Sequence, residues 1–216
     1  MPDTILKHTF KTAITMIVFA FVGTAMLAYV FEITRAPIEA SEREARLALF
    51  KQILPESNYD NDLLKEVVNI APNTLLGNRL PTEANIAKLN NKVVGIILEA
   101  IAHDGYGGDI KLLIAIRTDG SISGVRVLTH SETPGLGDYI DITHSNWINL
   151  FKNESLSKTS AKQWQVKKDG GAFDYMVGAT VTPRAVVKAV AKALQFFQMN
   201  QQSLLSNTTQ SHKDAI

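Results

Sequence analysis

The 216-residue sequence contains no cysteine. That absence excludes disulfides, cysteine-ligated iron–sulfur clusters, thioether haem attachment and cysteinyl flavin links within this chain. It leaves the compartment open, because a cysteine-free chain tolerates either redox environment. An excess of one charge is also missing. Lys and Arg total 22 against 21 Asp and Glu, for a formal net charge of +1. No basic block stands out, so no nucleic-acid partner is expected. No internal repeat is visible.

One stretch lacks charge altogether. Ala13 to Phe31 reads AITMIVFAFVGTAMLAYVF, close to the ~20 apolar residues that cross a bilayer as a helix. It is apolar on every face, unlike a surface helix of a soluble domain. It is long for the core of a signal peptide, and no small-x-small cleavage site closes it. The sequence therefore predicts an uncleaved single-pass anchor at 13–31, after a short N-terminal tail at 1–12. Lys7 and Lys11 precede the span and Arg35, Arg43 and Arg46 come after it, so flanking charge favours neither orientation.

Beyond the span the sequence is ordinary globular sequence, long enough for a proper core. PIEASEREARLALFKQILPE has Leu49, Phe50, Ile53 and Leu54 on one side, which predicts a connecting amphipathic helix within 32–56, ended by Pro55. Short strands and turns are expected from Ser57 to Asn91, with turns at Ala71-Pro72-Asn73 and Gly77-Asn78. Lys92–Ala102, Ile110–Arg117 and Ile122–Leu128 read as strands rich in β-branched residues. Asp119-Gly120 between the last two is a hairpin signal. ITHSNWINLF is expected to be helical, and Trp164-Gln165-Val166 a short strand. A final amphipathic helix starts near Pro183, with Val186, Val190, Leu194 and Phe197 on one face. A polar tail at 200–216 is expected to be disordered. The predicted class is α+β: a transmembrane helix, then a mainly antiparallel sheet at 57–199 with packed helices.

Two glycine-containing stretches stand out from this frame. VGATVTP, residues 177–183, places Thr180 and Thr182 just before a helix. Thr182 fits an N-cap followed by proline at the first helical position. The same helix start also suits an anion, through its free N–H groups and the positive end of the dipole. HSETPGLG, residues 130–137, bends sharply enough to approach a flat ligand, although it also suits a plain turn. His130 and Glu132 would share a strand face, where His103 or His144 could complete a weak metal site. Ser131 and His144 lack the spacing of a nucleophile elbow. Lys167 and Lys168, before Asp169-Gly170-Gly171, form a small basic patch. It suits a solvated turn or a phosphate contact.

The succession of membrane span, GYGGDIKLLIAI, hairpin, VLTHSETPGLGD and KKDGGAFDYMVGATVTPRAVVKAV resembles one family over nearly the whole chain. That family comprises the G subunits of the Rnf (Rsx) ion-translocating electron transport complexes, relatives of the C subunit of the sodium-pumping NADH:quinone reductase. The resemblance implies an FMN-binding domain at 57–199 carrying one FMN, joined through its phosphate to a threonine of the motif Ser/Thr-Gly-Ala-Thr-x-Thr. The modified residue would be Thr182, with Gly178, Ala179 and Thr180 at the preceding positions. Val177 departs from the motif, which puts recognition by a flavin transferase in question while the acceptor oxygen remains. Within the matched loop, Pro134, Gly135 and Leu136 would face the isoalloxazine, and Glu132 or Thr133 would supply polar contact. The resemblance implies no catalytic side chain and no bound metal. It implies electron relay between NADH and a ferredoxin-like carrier, coupled to ion transport. The implied partners are other membrane subunits of the complex, the flavin transferase and membrane lipid. The implied location is the bacterial inner membrane, with the domain on the periplasmic side. Two other readings remain: a cofactor-free extracytoplasmic binding module, and an enzyme that transfers flavin without keeping it.

Overall fold

The middle of the chain is apolar at consecutive positions, which suits a sheet covered on both faces. The computed structural model describes residues 2–206 and has this arrangement. Five strands, β1 (Val67–Ile70), β2 (Thr82–Leu89), β3 (Lys92–Ala102), β4 (Ile110–Arg117) and β5 (Ile122–Thr129), form one sheet in the order β1-β2-β3-β4-β5. All neighbours pair antiparallel. The fold is α+β, as the sequence predicted.

Alternation along each strand divides the core in two. Ile96, Leu98 and Ala100 of β3 and Leu112, Ile114 and Ile116 of β4 face one side. There they meet helix α2 (Val181–Ser206) through Val186, Val190, Leu194 and Phe197. Each such side chain contributes about 1.5–3 kcal/mol on full burial. Ile97, Leu113 and Ala115 face the other side. That face is covered by the end of helix α1 (Pro2–Ile53), through Phe50 and Ile53, together with Leu54. Arg126 of β5 fixes this end by donating from Nε to Gln52 Oε1 at 2.9 Å.

Several elements differ from the sequence expectation. The tail, span and connecting helix are one helix from Pro2, with Pro37 inside it. Through Arg46 this helix forms a unit of its own, and the remainder of the described chain from Leu47 forms the second. Among the described residues, this is the one helix long and apolar enough to cross a membrane. The predicted helix over ITHSNWINLF reduces to a 3-10 turn at Trp147–Phe151. Before it, the Asp141 carboxylate accepts from the Thr143 N–H and hydroxyl, holding a local turn instead of a helix. Trp164–Val166 is no strand; only Val166 forms a bridge, with Phe173. Its apolar residues instead serve an aromatic cluster. The polar tail is helical through Ser206, with Leu204 buried; residues 207–216 of that tail lie outside the described residues.

A histidine ties the turn before β2 to the loop after β3. His103 donates from Nδ1 to Asp109 Oδ1 and from Nε2 to the Gly77 carbonyl, both at 2.8 Å. Both partners only accept, so the arrangement needs the doubly protonated ring. The bond to Asp109 raises its pKa above the ordinary 6.5, with the Gly77 bond adding to it. The folded value is the raised one. The resulting stability is therefore fully present below about pH 6.5 and lost as pH rises through the folded value. An NMR titration should place His103 above 6.5, and Asp109→Asn should bring it down. The stability gap between the two proteins should close as pH rises through the folded value.

Candidate functional site

Thr182 lies within α2 and does not cap it. The helix starts at Val181, and the Arg184 N–H reaches back to the Thr180 carbonyl at 3.4 Å. Thr180 therefore stands at the cap position, and Pro183 is third in the helix rather than first. The physical reason is simple: none of the first N–H groups of a helix has an intrahelical acceptor, so proline is harmless anywhere in that turn. Freed from capping, the Thr182 hydroxyl donates to Glu132 Oε2, across 50 residues of sequence. Both residues are buried, Thr182 to 1% and Glu132 to 5% exposure.

A buried carboxylate is costly unless donors surround it. Among the described residues Glu132 has no salt bridge, and hydrogen bonds do that work. Beside the Thr182 hydroxyl on Oε2, the Gly107 N–H donates to Oε1 at 3.0 Å; the Glu132 backbone N–H separately donates to His130 Nδ1 at 3.2 Å. The backbone crowds this pair. A Cβ on Gly107 would lie 1.9 Å from the Ser131 carbonyl oxygen, and one on Gly137 2.7 Å from Glu132 Oε2. Gly105 also abuts Glu132, at 2.8 Å from Oε1 by the same measure.

The segment leading to Thr182 is held by aromatic residues. Tyr139 packs edge-on to Trp147, which packs edge-on to Phe151; Phe151 then meets Trp164 and Phe173. Tyr139 Oη accepts the Met176 N–H at 3.2 Å, and Trp147 Nε1 donates to the Asp174 carbonyl at 2.7 Å. Burial raises the Tyr139 pKa above the ordinary 10.0, so its hydroxyl stays neutral at physiological pH. A turn from Met176 to Ala179 closes with a 3.1 Å bond. Gly178 sits in it at φ +94°, with nothing within 4 Å of its would-be Cβ. Glycine adopts that backbone conformation without steric cost, and the space beside it is open. Ala179 is buried in the core.

Around the buried pair the surface is apolar and open. Thr133, Pro134, Gly135 and Leu136 are exposed, as are Met176, Val177 and Val181. Tyr106, between the two packed glycines, is 73% exposed. The fold thus brings together Glu132, the 133–136 bend, and the 178–182 segment. It does not assemble the suggested metal trio. His103 is committed to Asp109 and Gly77, and His144 lies 3.1 Å from the Asp138 carboxylate. Among the described residues no group of three or more His, Cys, Asp or Glu could hold a metal. The basic patch is partly neutralised, since Lys167 pairs with Asp174 at 2.5 Å. Arg184 pairs with Asp169, whose carboxyl it holds below the usual range.

Sequence reasoning missed Gly105, Gly107, Gly137 and Tyr139 as builders of the site. The doubled glycine of GYGG was the one available signal, and it reads equally as a flexible turn.

A model of the FMN-binding domain matches residues 105–195, and one of the RnfG N-terminal region matches residues 1–53. The chain is 44% identical over 200 residues to the G subunit of the ion-translocating oxidoreductase complex of Pseudomonas aeruginosa (strain UCBPP-PA14), covering 93% of this chain and 94% of that one. It is 39% identical over 196 residues to the protein of that name in Aliivibrio fischeri (strain MJ11), covering 91% and 93%. With the Shewanella baltica (strain OS223) protein of the same name the identity is 42% over 206 residues, covering 95% of each.

Gly107→Ala forces the 105–108 loop away from Ser131 and breaks the bond to Glu132. Urea unfolding should show a loss of about 1–3 kcal/mol. An unchanged midpoint would mean that the loop packs elsewhere.

Proposed function

The chain belongs to the family of ion-translocating oxidoreductase complex G subunits, and from that premise we propose that it carries FMN as a phosphoester on Thr182 and relays electrons between neighbouring subunits. The FMN-binding domain match supports FMN as the group bound. The observation that carries the covalent reading is the Thr182 hydroxyl itself, in the first turn of α2 and hydrogen-bonded to a carboxylate.

The residues present fit such a group. The first turn of α2 has N–H groups without helical acceptors and the positive dipole end, which suit a phosphate. Thr180, Gly178 and Ala179 border Thr182 in the chain, and the Thr180 hydroxyl can bond a phosphate oxygen. The exposed 133–136 bend, Val177, Val181 and Tyr106 offer apolar and aromatic surface for a flat ring. Glu132 meets the Thr182 hydroxyl and the Gly107 N–H, and its polar contact with the ring is proposed beside those two bonds. When bound, FMN supplies the redox chemistry. The chain's part is to fix its position and limit water around it. No side chain is needed as acid or base for electron transfer.

The proposed location is the bacterial inner membrane, spanned once by α1, with the domain on the periplasmic side. Free FMN is expected to be scarce there, and a covalent bond keeps the site filled whatever the external concentration. The proposed partners are the other membrane subunits of the complex, a flavin transferase and lipid. Electron flow between NADH and a ferredoxin-like carrier, coupled to ion transport, is the proposed role of the assembly.

The protein co-produced with a flavin transferase should give a fluorescent band on a denaturing gel, absent in Thr182→Val. No band in either lane, with a related flavoprotein labelled in parallel, would reduce Thr182 to a structural hydrogen-bond donor. A cofactor-free binding module would then be the better reading.

A further inference from the structure

Helix α2 contains no Asp or Glu, and its first half carries Arg184, Lys188 and Lys192. A spacing of four puts these cations in one row along the helix. Helix stability does not account for the row, because the positive end of the dipole disfavours cations near the start. Ion pairing accounts for part of it. Arg184 meets Asp169 at 2.5 Å and Lys188 meets Asp104 at 2.6 Å. Both pairs are open to solvent, where such pairs contribute little. Among the described residues Lys192 pairs with no carboxylate. The row borders a cleft of about 530 Å³, floored by the apolar side chains of Trp164, Val166 and Ala191. Lys188 and Lys192 also line a second recess of about 220 Å³, beside Asp104. Lys162 and Lys168 are exposed, next in sequence to the lining residues Ala161 and Asp169, and pair with no carboxylate among the described residues. Three cations in the row and these two stand against Asp169 and Asp104. On a chain with a net charge of +1 this excess is local.

We propose that this cleft is a docking groove for an acidic segment of a neighbouring subunit, its carboxylates against the α2 row and an apolar side chain on the Trp164 floor. Family membership is the premise, since its members are named as subunits of a complex and so have neighbours; the position of flavin attachment is not. The length of the row favours a segment over a single small anion. Arg184 to Lys192 spans about 12 Å of helix, more than one carboxylate or phosphate covers. Successive cations recur every ~6 Å. An extended strand places side chains of one face about 6.6 Å apart, so carboxylates at alternate positions meet successive cations. The existing pairs do not block this. A lysine ammonium has three donors and a guanidinium five, so each can meet a second carboxylate. The charges set register and speed of association, and the apolar floor adds burial. Arg184 lies just beyond the 178–182 segment, so a subunit held here is held close to that segment.

The test uses the full-length chain in the detergent-solubilised complex, with a melting curve for every variant. Lys192→Glu should weaken retention of the chain by the other subunits about tenfold at low salt, and the difference should shrink as salt rises. Lys92→Glu, exposed and outside the cleft, should match wild type. A photo-crosslinking amino acid in place of Lys192 should label a segment of another subunit that carries two or more Asp or Glu. Changing one of those acids to Lys should restore retention of Lys192→Glu. Retention of Lys192→Glu equal to wild type would overturn the proposal. So would a crosslink to lipid, to a segment without acidic residues, or to nothing. If Lys192→Glu does not fold, Lys192→Gln replaces it and the same comparison decides. Flavin fluorescence of the chain is read on the same gel. A complex that assembles through this groove but shows no fluorescence counts against the flavin reading and leaves the docking groove standing.

Discussion

A carboxylate buried without a cation must find hydrogen-bond donors, and the arrangement of the site follows from that demand. Glu132 finds the Thr182 hydroxyl on one oxygen and the Gly107 N–H on the other. The first bond ties the 130–137 loop to the start of α2, and the second ties it to the loop between β3 and β4. Three segments far apart in sequence are thereby held at one point. Glycine at 107 and 137 is the steric condition for this: a Cβ at 107 would strike the Ser131 carbonyl that leads into Glu132, and one at 137 would strike the carboxylate itself.

The aromatic cluster performs the matching task on the other side. It binds the 138–151 segment to the 164–173 loop, and Tyr139 and Trp147 then hold the backbone at Met176 and Asp174. The turn at Gly178 delivers the chain into α2 with Thr182 pointed inward. The sheet contributes by being rigid: β3 and β4 are covered on both faces, and the loops at their ends inherit fixed anchor points.

Much of this was legible in the sequence. The strand Lys92–Ala102 could be read to the residue, because β-branched runs bounded by turn residues have few alternatives. The apolar face of α2 was equally plain. Its start was misjudged because proline fits any position of a first helical turn, so Pro183 fixes the region of the boundary and not the residue. Trp164 and Val166 looked like a strand because aromatic and β-branched residues favour both strands and aromatic clusters, and the partners Phe151 and Phe173 are remote in sequence. The glycine contacts were unreadable for the same reason. Nothing local to Gly107 indicates that Ser131 will lie against it. Glu132 and Thr182 were each singled out, but their bond to one another was not, since no spacing rule links residues on separate loops. The family resemblance identified the two loops that matter, and the fold explains why they meet.

The contact between Glu132 and Thr182 is the centre of the site, and a double-mutant cycle on the unloaded protein tests it most directly. Unfolding free energies would be measured for wild type, Glu132→Gln, Thr182→Val and the double variant. A hydroxyl bonded to a buried carboxylate predicts a coupling of about 1.5–3 kcal/mol. Strictly additive losses would mean that the two side chains do not meet in solution, and the site would need another basis.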